Sequence, residues 1–128
     1  MNTTDLKIGD YVSYKDKTYK VWSLNGTIAC IEPKQGRVMG ALVENLSPIP
    51  LTFDNLTKCG WSRTADEMCS MPFAFGRLNV VDCVDFDYYV IAIDSMKPAN
   101  VAVLRRVKYI HEVQHFLWAL GIEDNIKL

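Results

Sequence analysis

Apolar and polar residues change their spacing along this chain, and the changes predict its elements. Over residues 5–50 the apolar groups come in short runs broken by turn formers. Tyr11-Val12-Ser13-Tyr14 is followed by the polar turn Lys15-Asp16-Lys17. Thr18 to Leu24 is rich in β-branched and aromatic residues, which suit a pleated, half-buried surface. Asn25-Gly26 then predicts a tight hairpin, because both residues tolerate positive φ. Thr27 to Glu32 returns as a strand, residues 33–36 turn again, and residues 37–43 supply another strand.

About four or five such strands bury little as a flat sheet, so closure into a small barrel is expected. The opening Leu6-x-x-Gly9-Asp10-x-Val12-x-Tyr14 resembles the first strand of small SH3-like barrels. Ser47-Pro48-Ile49-Pro50 is stiff and cannot continue a sheet interior, which places a boundary between residues 1–50 and residues 51–128. Beyond it Thr52 is an expected N-cap, Asp54 suits a first helical turn and Lys58 a last one. Gly60 fits the left-handed position that ends a helix, so a two-turn helix is predicted there.

Ser62 to Ser70 is polar and reads as a loop or hairpin arm. The period then becomes two over residues 72–78, 80–84 and 88–94, and residues 101–105 read as a last strand. Residues 107–121, VKYIHEVQHFLWALG, form the strongest helical pattern in the chain. At about 100° per residue, Tyr109, Ile110, Val113, Leu117 and Leu120 share one arc, and Lys108, His111, Glu112 and His115 take the other side. The expected fold is α+β: a small SH3-like β-barrel over residues 1–50, then a short helix, a three- or four-stranded antiparallel sheet and a long C-terminal helix over residues 51–128.

That helix also spells His111-Glu112-Val113-Gln114-His115, the pattern of zinc peptidases. Histidines four apart converge on one metal ion, and the intervening glutamate can take a proton from metal-bound water. The alternative function this carries is a minimal zinc-dependent hydrolase, with Glu112 as base and His111, His115 and Asp124 as zinc ligands. The extended zinc-peptidase pattern with Gly and a third His fails, since Trp118 and Gly121 stand at those positions, and nothing supplies a second wall for a cleft. The bland reading places both imidazoles on a solvated face beside a Lys108–Glu112 surface pair.

Two stretches carry a family resemblance. Ile49-Pro50-Leu51-Thr52 leading to Leu56 and to Lys58-Cys59-Gly60-Trp61 is similar to an "IPLT…L…GF" centre. Lys108-Tyr109-Ile110-His111-Glu112-Val113-Gln114-His115 followed by Leu120-Gly121-Ile122 is similar to a C-terminal "YVHxLQ…GI" helix. Both belong to a family of small bacterial proteins that look like products of prophages and mobile elements, and the resemblance implies no known activity. In that family Gln and Asn often stand where this chain has Glu112 and His115, which makes the zinc-like spelling a variant of a structural helix.

Composition narrows the field further. The 128 residues are 49% apolar and 23% charged with a net charge of −1, which gives no long-range pull on nucleic acid or anionic membrane. The N-terminal ten residues have no secretory leader and no apolar run reaches a membrane span, so a cytoplasmic protein is expected. Cys30, Cys59, Cys69 and Cys83 form no Cys-x-x-Cys and are expected as free thiols. Asp82, Asp85, Asp87 and Asp94 read as turn acids beside strands rather than a catalytic pair.

The leading expectation is therefore a non-catalytic accessory or interaction protein of a prophage or mobile element, with no cofactor and an unknown protein partner. Its binding residues would be Tyr11, Tyr14, Tyr19 and Trp22, offered from the barrel, together with the exposed stripe of the long helix. A weak nucleic-acid-binding module through those aromatics and Arg105, Arg106 and Lys108 is a second alternative that the neutral charge disfavours.

Overall fold

A computed structural model describes residues 1–73, 76–96, 99–122 and 125–128, with side chains described for these apart from residue 3 and residues 95–104. The chain divides into two units: Met1–Pro50 with Tyr109–Gln114, and Leu51–Lys108 with His115–Leu128.

The first unit is an antiparallel sheet of β1 (Tyr11–Tyr14), β2 (Lys17–Asn25), β3 (Ile28–Pro33), β4 (Met39–Leu42) and β5 (Ser47–Pro48), in the order β4-β3-β2-β1-β5. Alternation buries one face. Val12, Val21, Ala29, Ile31 and Ala41 point into a common core, which Leu6, Val43 and Leu46 from the flanking turns complete. Lys15 and Asp16 turn β1 into β2 with φ of 48° and 64°, the left-handed pair that a two-residue hairpin turn needs. The β2–β3 turn is Gly26-Thr27, one residue later than the Asn25-Gly26 expected, because Asn25 still pairs with Ile28. Gly26, at φ 62°, supplies the positive φ in its first position.

Gly9-Asp10 works as a corner. The Gly9 N–H donates to the Val21 carbonyl at 2.8 Å, the Asp10 carbonyl accepts from the Val21 N–H at 2.8 Å, and the buried Asp10 carboxylate accepts the Lys7 N–H at 2.7 Å.

The second unit opens with helix α1 (Phe53–Lys58). The Thr52 hydroxyl caps it by accepting the Asn55 N–H at 3.2 Å. At its far end the Trp61 and Gly60 N–H groups return to the carbonyls of Leu56 and Thr57, with Gly60 at φ 91°. A second antiparallel sheet follows: β6 (Ser62–Ala65), β7 (Met68–Phe73), β8 (Gly76–Asp82), β9 (Tyr89–Met96) and β10 (Ala99–Val107), in the order β10-β9-β8-β7-β6. Leu56, Trp61, Cys69, Leu78, Val80, Ile91, Leu117 and Ile126 are among its buried apolar side chains. Helix α2 (Ile110–Ala119) is shared between the units, and it ends where the Ile122 N–H reaches the Leu117 carbonyl across Gly121, at φ 70°.

The expected α+β class with an SH3-like barrel is overturned. The protein is mostly sheet, and its first sheet is open, with β4 and β5 as ends. The physical reason lies in β5, which has two residues and includes Pro48, so it offers β4 almost no ladder to close on. Residues from the turns cover the inner face instead. The second sheet has five strands rather than three or four. The polar stretch at Ser62–Ala65 forms β6 with every residue exposed, so an edge strand carries no apolar alternation to reveal it. Val107, expected to open the long helix, ends β10.

Candidate protein-interaction surface

Helix α2 carried the sharpest expectation, and the structure corrects its faces. His111 is buried at 6% exposure, beside the fully buried Ile110, Val113 and Gln114. The first turn is thus covered on most of its circumference, not on one arc, and the imidazole is not in water. His111 stacks on Tyr109, with centroids 5.8 Å apart and planes 12° apart. The Glu112 carboxylate accepts the Tyr109 N–H at 3.0 Å, which is the third-position half of a capping box. The Lys108 ammonium donates to Asp87 at 2.8 Å. That contact holds the exposed Asp87 carboxyl below its ordinary range.

His115 is half-buried and lies 5.5 Å from the Trp118 ring. Asp124, the third ligand of the zinc alternative, lies outside the described residues. Among the described residues no three His, Cys, Asp or Glu side chains gather as a metal site would need.

Gln114 has a role the sequence reading missed. Its side-chain oxygen accepts the Tyr11 N–H and its amide donates to the Gly9 carbonyl, each at 3.0 Å. One side chain therefore bonds both main-chain groups at the entrance to β1. A glutamine in the middle of an apolar helical arc was the available signal.

The four predicted binding aromatics separate. Tyr14 and Tyr19 pack against the core cluster of the first sheet and meet edge to face at 6.0 Å. Tyr11 is buried, with the Lys20 ammonium 5.8 Å from its ring centre. Trp22 alone of the four is exposed, at 60%. It is the extra residue of a bulge in β2, between the pairs Val21–Ile31 and Ser23–Cys30, which releases it from the core alternation.

Trp22 has company that sequence reading did not assign. Ile28 and Leu42 are cross-strand partners with 49% and 42% of their surface exposed. Their neighbours Ala29 and Ala41 are buried, so Ile28 and Leu42 point to the outer face. Cys30 and Gly40 form the next outward pair of the same register. Val38 and Met39 are exposed at the edge. Lys20 and Glu32, paired across β2 and β3, flank this apolar strip with one charge of each sign. Beside Leu42 a surface pocket of ≈ 480 Å³ is lined by Met1, Asn2, Thr27, Val43 and Glu44 as well.

The second unit shows a smaller exposed feature at the β8–β9 turn. Val84 and Phe86 are exposed, Phe86 stacks on Tyr88 at 5.2 Å, and the Arg106 guanidinium sits 4.8 Å from the Tyr88 ring centre. Two of the three basic residues proposed for nucleic acid, Arg106 and Lys108, are thereby engaged locally. All four cysteines are free thiols, and burial pushes the Cys69 thiol above its ordinary value. No helix among the described residues is long and apolar enough to cross a membrane.

Compared with known protein families, with curated proteins and with solved structures, the chain matches none.

Proposed function

We propose that this protein is a non-catalytic interaction module, an accessory protein of a prophage or mobile element acting in the cytoplasm, that holds a protein partner on the outer face of its first sheet. The observation that supports this is the exposure of Trp22, Ile28 and Leu42 together on one open face. Large apolar side chains clustered in water mark docking sites, and tryptophan is the commonest anchor of such contacts. With one cation and one anion at its margin, the strip suits an apolar, near-neutral segment of the partner. The zinc alternative loses support because Glu112 serves the helix cap and His111 is buried in a stack with Tyr109. The nucleic-acid alternative loses it through the local engagement of Arg106 and Lys108.

The test is capture of partners from host extract by immobilised wild type, Trp22→Ala and Val84→Ala. The expected result is a protein held by wild type and Val84→Ala and lost with Trp22→Ala. Identical capture by all three, or turnover of a substrate by the purified protein, overturns the reading.

A further inference from the structure

The edges of the two sheets are not protected alike. β5 has two residues and a proline, β6 carries Arg63 and a bulge, and β10 carries a bulge with Arg105 and Arg106. Short length, charge, proline and bulges are the devices that keep an edge from pairing with another chain. β4 reads Met39-Gly40-Ala41-Leu42 after Val38, with neither charge nor proline.

The main-chain parity of β4 is fixed. The Val43 N–H donates to the Thr27 carbonyl at 2.8 Å, so Ile28 and Leu42 form a non-hydrogen-bonded pair and Ala29 and Ala41 the next, hydrogen-bonded one. Met39 and Ala41 therefore spend their peptide groups on β3. Gly40 and Leu42 turn theirs outward, away from the sheet.

We propose that two copies of this chain pair antiparallel through β4, with Gly40 of one copy opposite Leu42 of the other and Ala41 at the two-fold axis. This rests on the reading of the outer face as a docking surface, and it names a second copy as an occupant at its rim. Three constraints select that register. An antiparallel partner must set outward peptide groups against outward ones, which only even-numbered positions of β4 provide. Gly40 has no side chain, and a Cβ there would find its nearest neighbour, Ile28 Cγ2, only at 3.9 Å. Leu42 of the second copy fills that bare place, and symmetry makes the fit happen twice. Setting Gly40 against Gly40 leaves the bare place empty, and setting Leu42 against Leu42 puts Gly40 against Glu44.

The net charge of −1 raises no barrier between copies. The contact is confined to one four-residue edge strand from each copy, below the size of a stable interface, so a weak reversible dimer is expected. Pairing extends the outer face into one platform carrying two Trp22 rings.

Sedimentation equilibrium of the whole chain, from about micromolar to about millimolar, tests this for wild type, Leu42→Lys and Gly40→Leu. Wild type is expected to dimerise reversibly. Leu42→Lys, which charges an exposed position, should stay monomeric, and Gly40→Leu should weaken association at least about tenfold, with circular dichroism unchanged in both. A wild type that is monomeric at every concentration, or a folded Leu42→Lys that dimerises like wild type, overturns the proposal. The two readings fail separately. A monomer that still loses a foreign partner with Trp22→Ala sinks the dimer alone, and a dimer that captures nothing supports the pairing and sinks the foreign partner.

Discussion

The Glu112 side chain accepts the main-chain N–H of Tyr109 at 3.0 Å, two positions beyond the start of helix α2. A residue that could be read as the base of a zinc hydrolase is thus bound to the helix it sits on. Capping contacts of this kind stabilise by about 1 kcal/mol, and glutamine can make them as well as glutamate. Glu112→Ala should therefore lower stability by about 1 kcal/mol in urea unfolding, while Glu112→Gln should stay within about 0.5 kcal/mol of wild type. Equal losses for both would show that the charge matters and the cap does not.

Gln114 joins the helix to the entrance of β1 through two hydrogen bonds, to Tyr11 and to Gly9, and is fully buried. Its removal strands a main-chain donor and an acceptor, each costing about 1–3 kcal/mol when left unpaired. Gln114→Leu fills most of the volume but supplies neither bond, so it should destabilise by at least about 2 kcal/mol. A variant as stable as wild type would mean that packing, not the amide, holds the corner.

His111 and Leu117, expected on opposite faces of helix α2, are both buried. Leu117 is fully buried, and Leu117→Ala should cost about 2–5 kcal/mol. A solvated His111 would cost almost nothing to remove, but at 6% exposure in a stack with Tyr109, His111→Ala should cost about 1–3 kcal/mol. A His111→Ala protein that unfolds at the wild-type urea concentration contradicts this placement.

The Lys108 contact depresses the Asp87 carboxyl, and the direction sets its pH dependence. A carboxyl held lower in the folded state than in the unfolded state adds stability above its unfolded value of about 3.8 and loses it as pH falls through the folded one. The pair is exposed, so the effect is small and salt screens it. Asp87→Asn should flatten the acid side of the stability curve at low ionic strength and leave neutral, high-salt stability unchanged. An unaltered acid limb would remove the pair from the account.

How much of this was written in the residues depends on whether the signal was local. The short helix α1 was legible because Thr52 and Gly60 mark its ends by local geometry. The Lys15-Asp16 turn was legible for the same reason. The hairpin at Gly26 was found but set one residue early, since only the pairing of Asn25 with Ile28 decides which residues leave the ladder. Closure of the first sheet depended on β5, whose shortness no pattern in Ser47-Pro48 could reveal against its neighbours.

The faces of helix α2 were misjudged because periodicity assumes one buried side, and His111 is covered on another. At the candidate site, Trp22 was named only as one of four aromatics with Tyr11, Tyr14 and Tyr19, and alternation alone could not separate it, because a bulge sets its exposure. Ile28 and Leu42 were not legible, because ordinary apolar strand residues become a surface strip only once the register is known.

The central claim is that Trp22 anchors a protein partner. Titration calorimetry of a captured partner against wild type, Trp22→Ala and Phe86→Ala tests it most directly. An anchor of this type is worth at least about 2 kcal/mol, so Trp22→Ala should weaken binding about thirtyfold or more while Phe86→Ala binds as wild type. Unchanged affinity for Trp22→Ala, with the loss falling on Phe86→Ala, would move the site to the second unit and contradict the account.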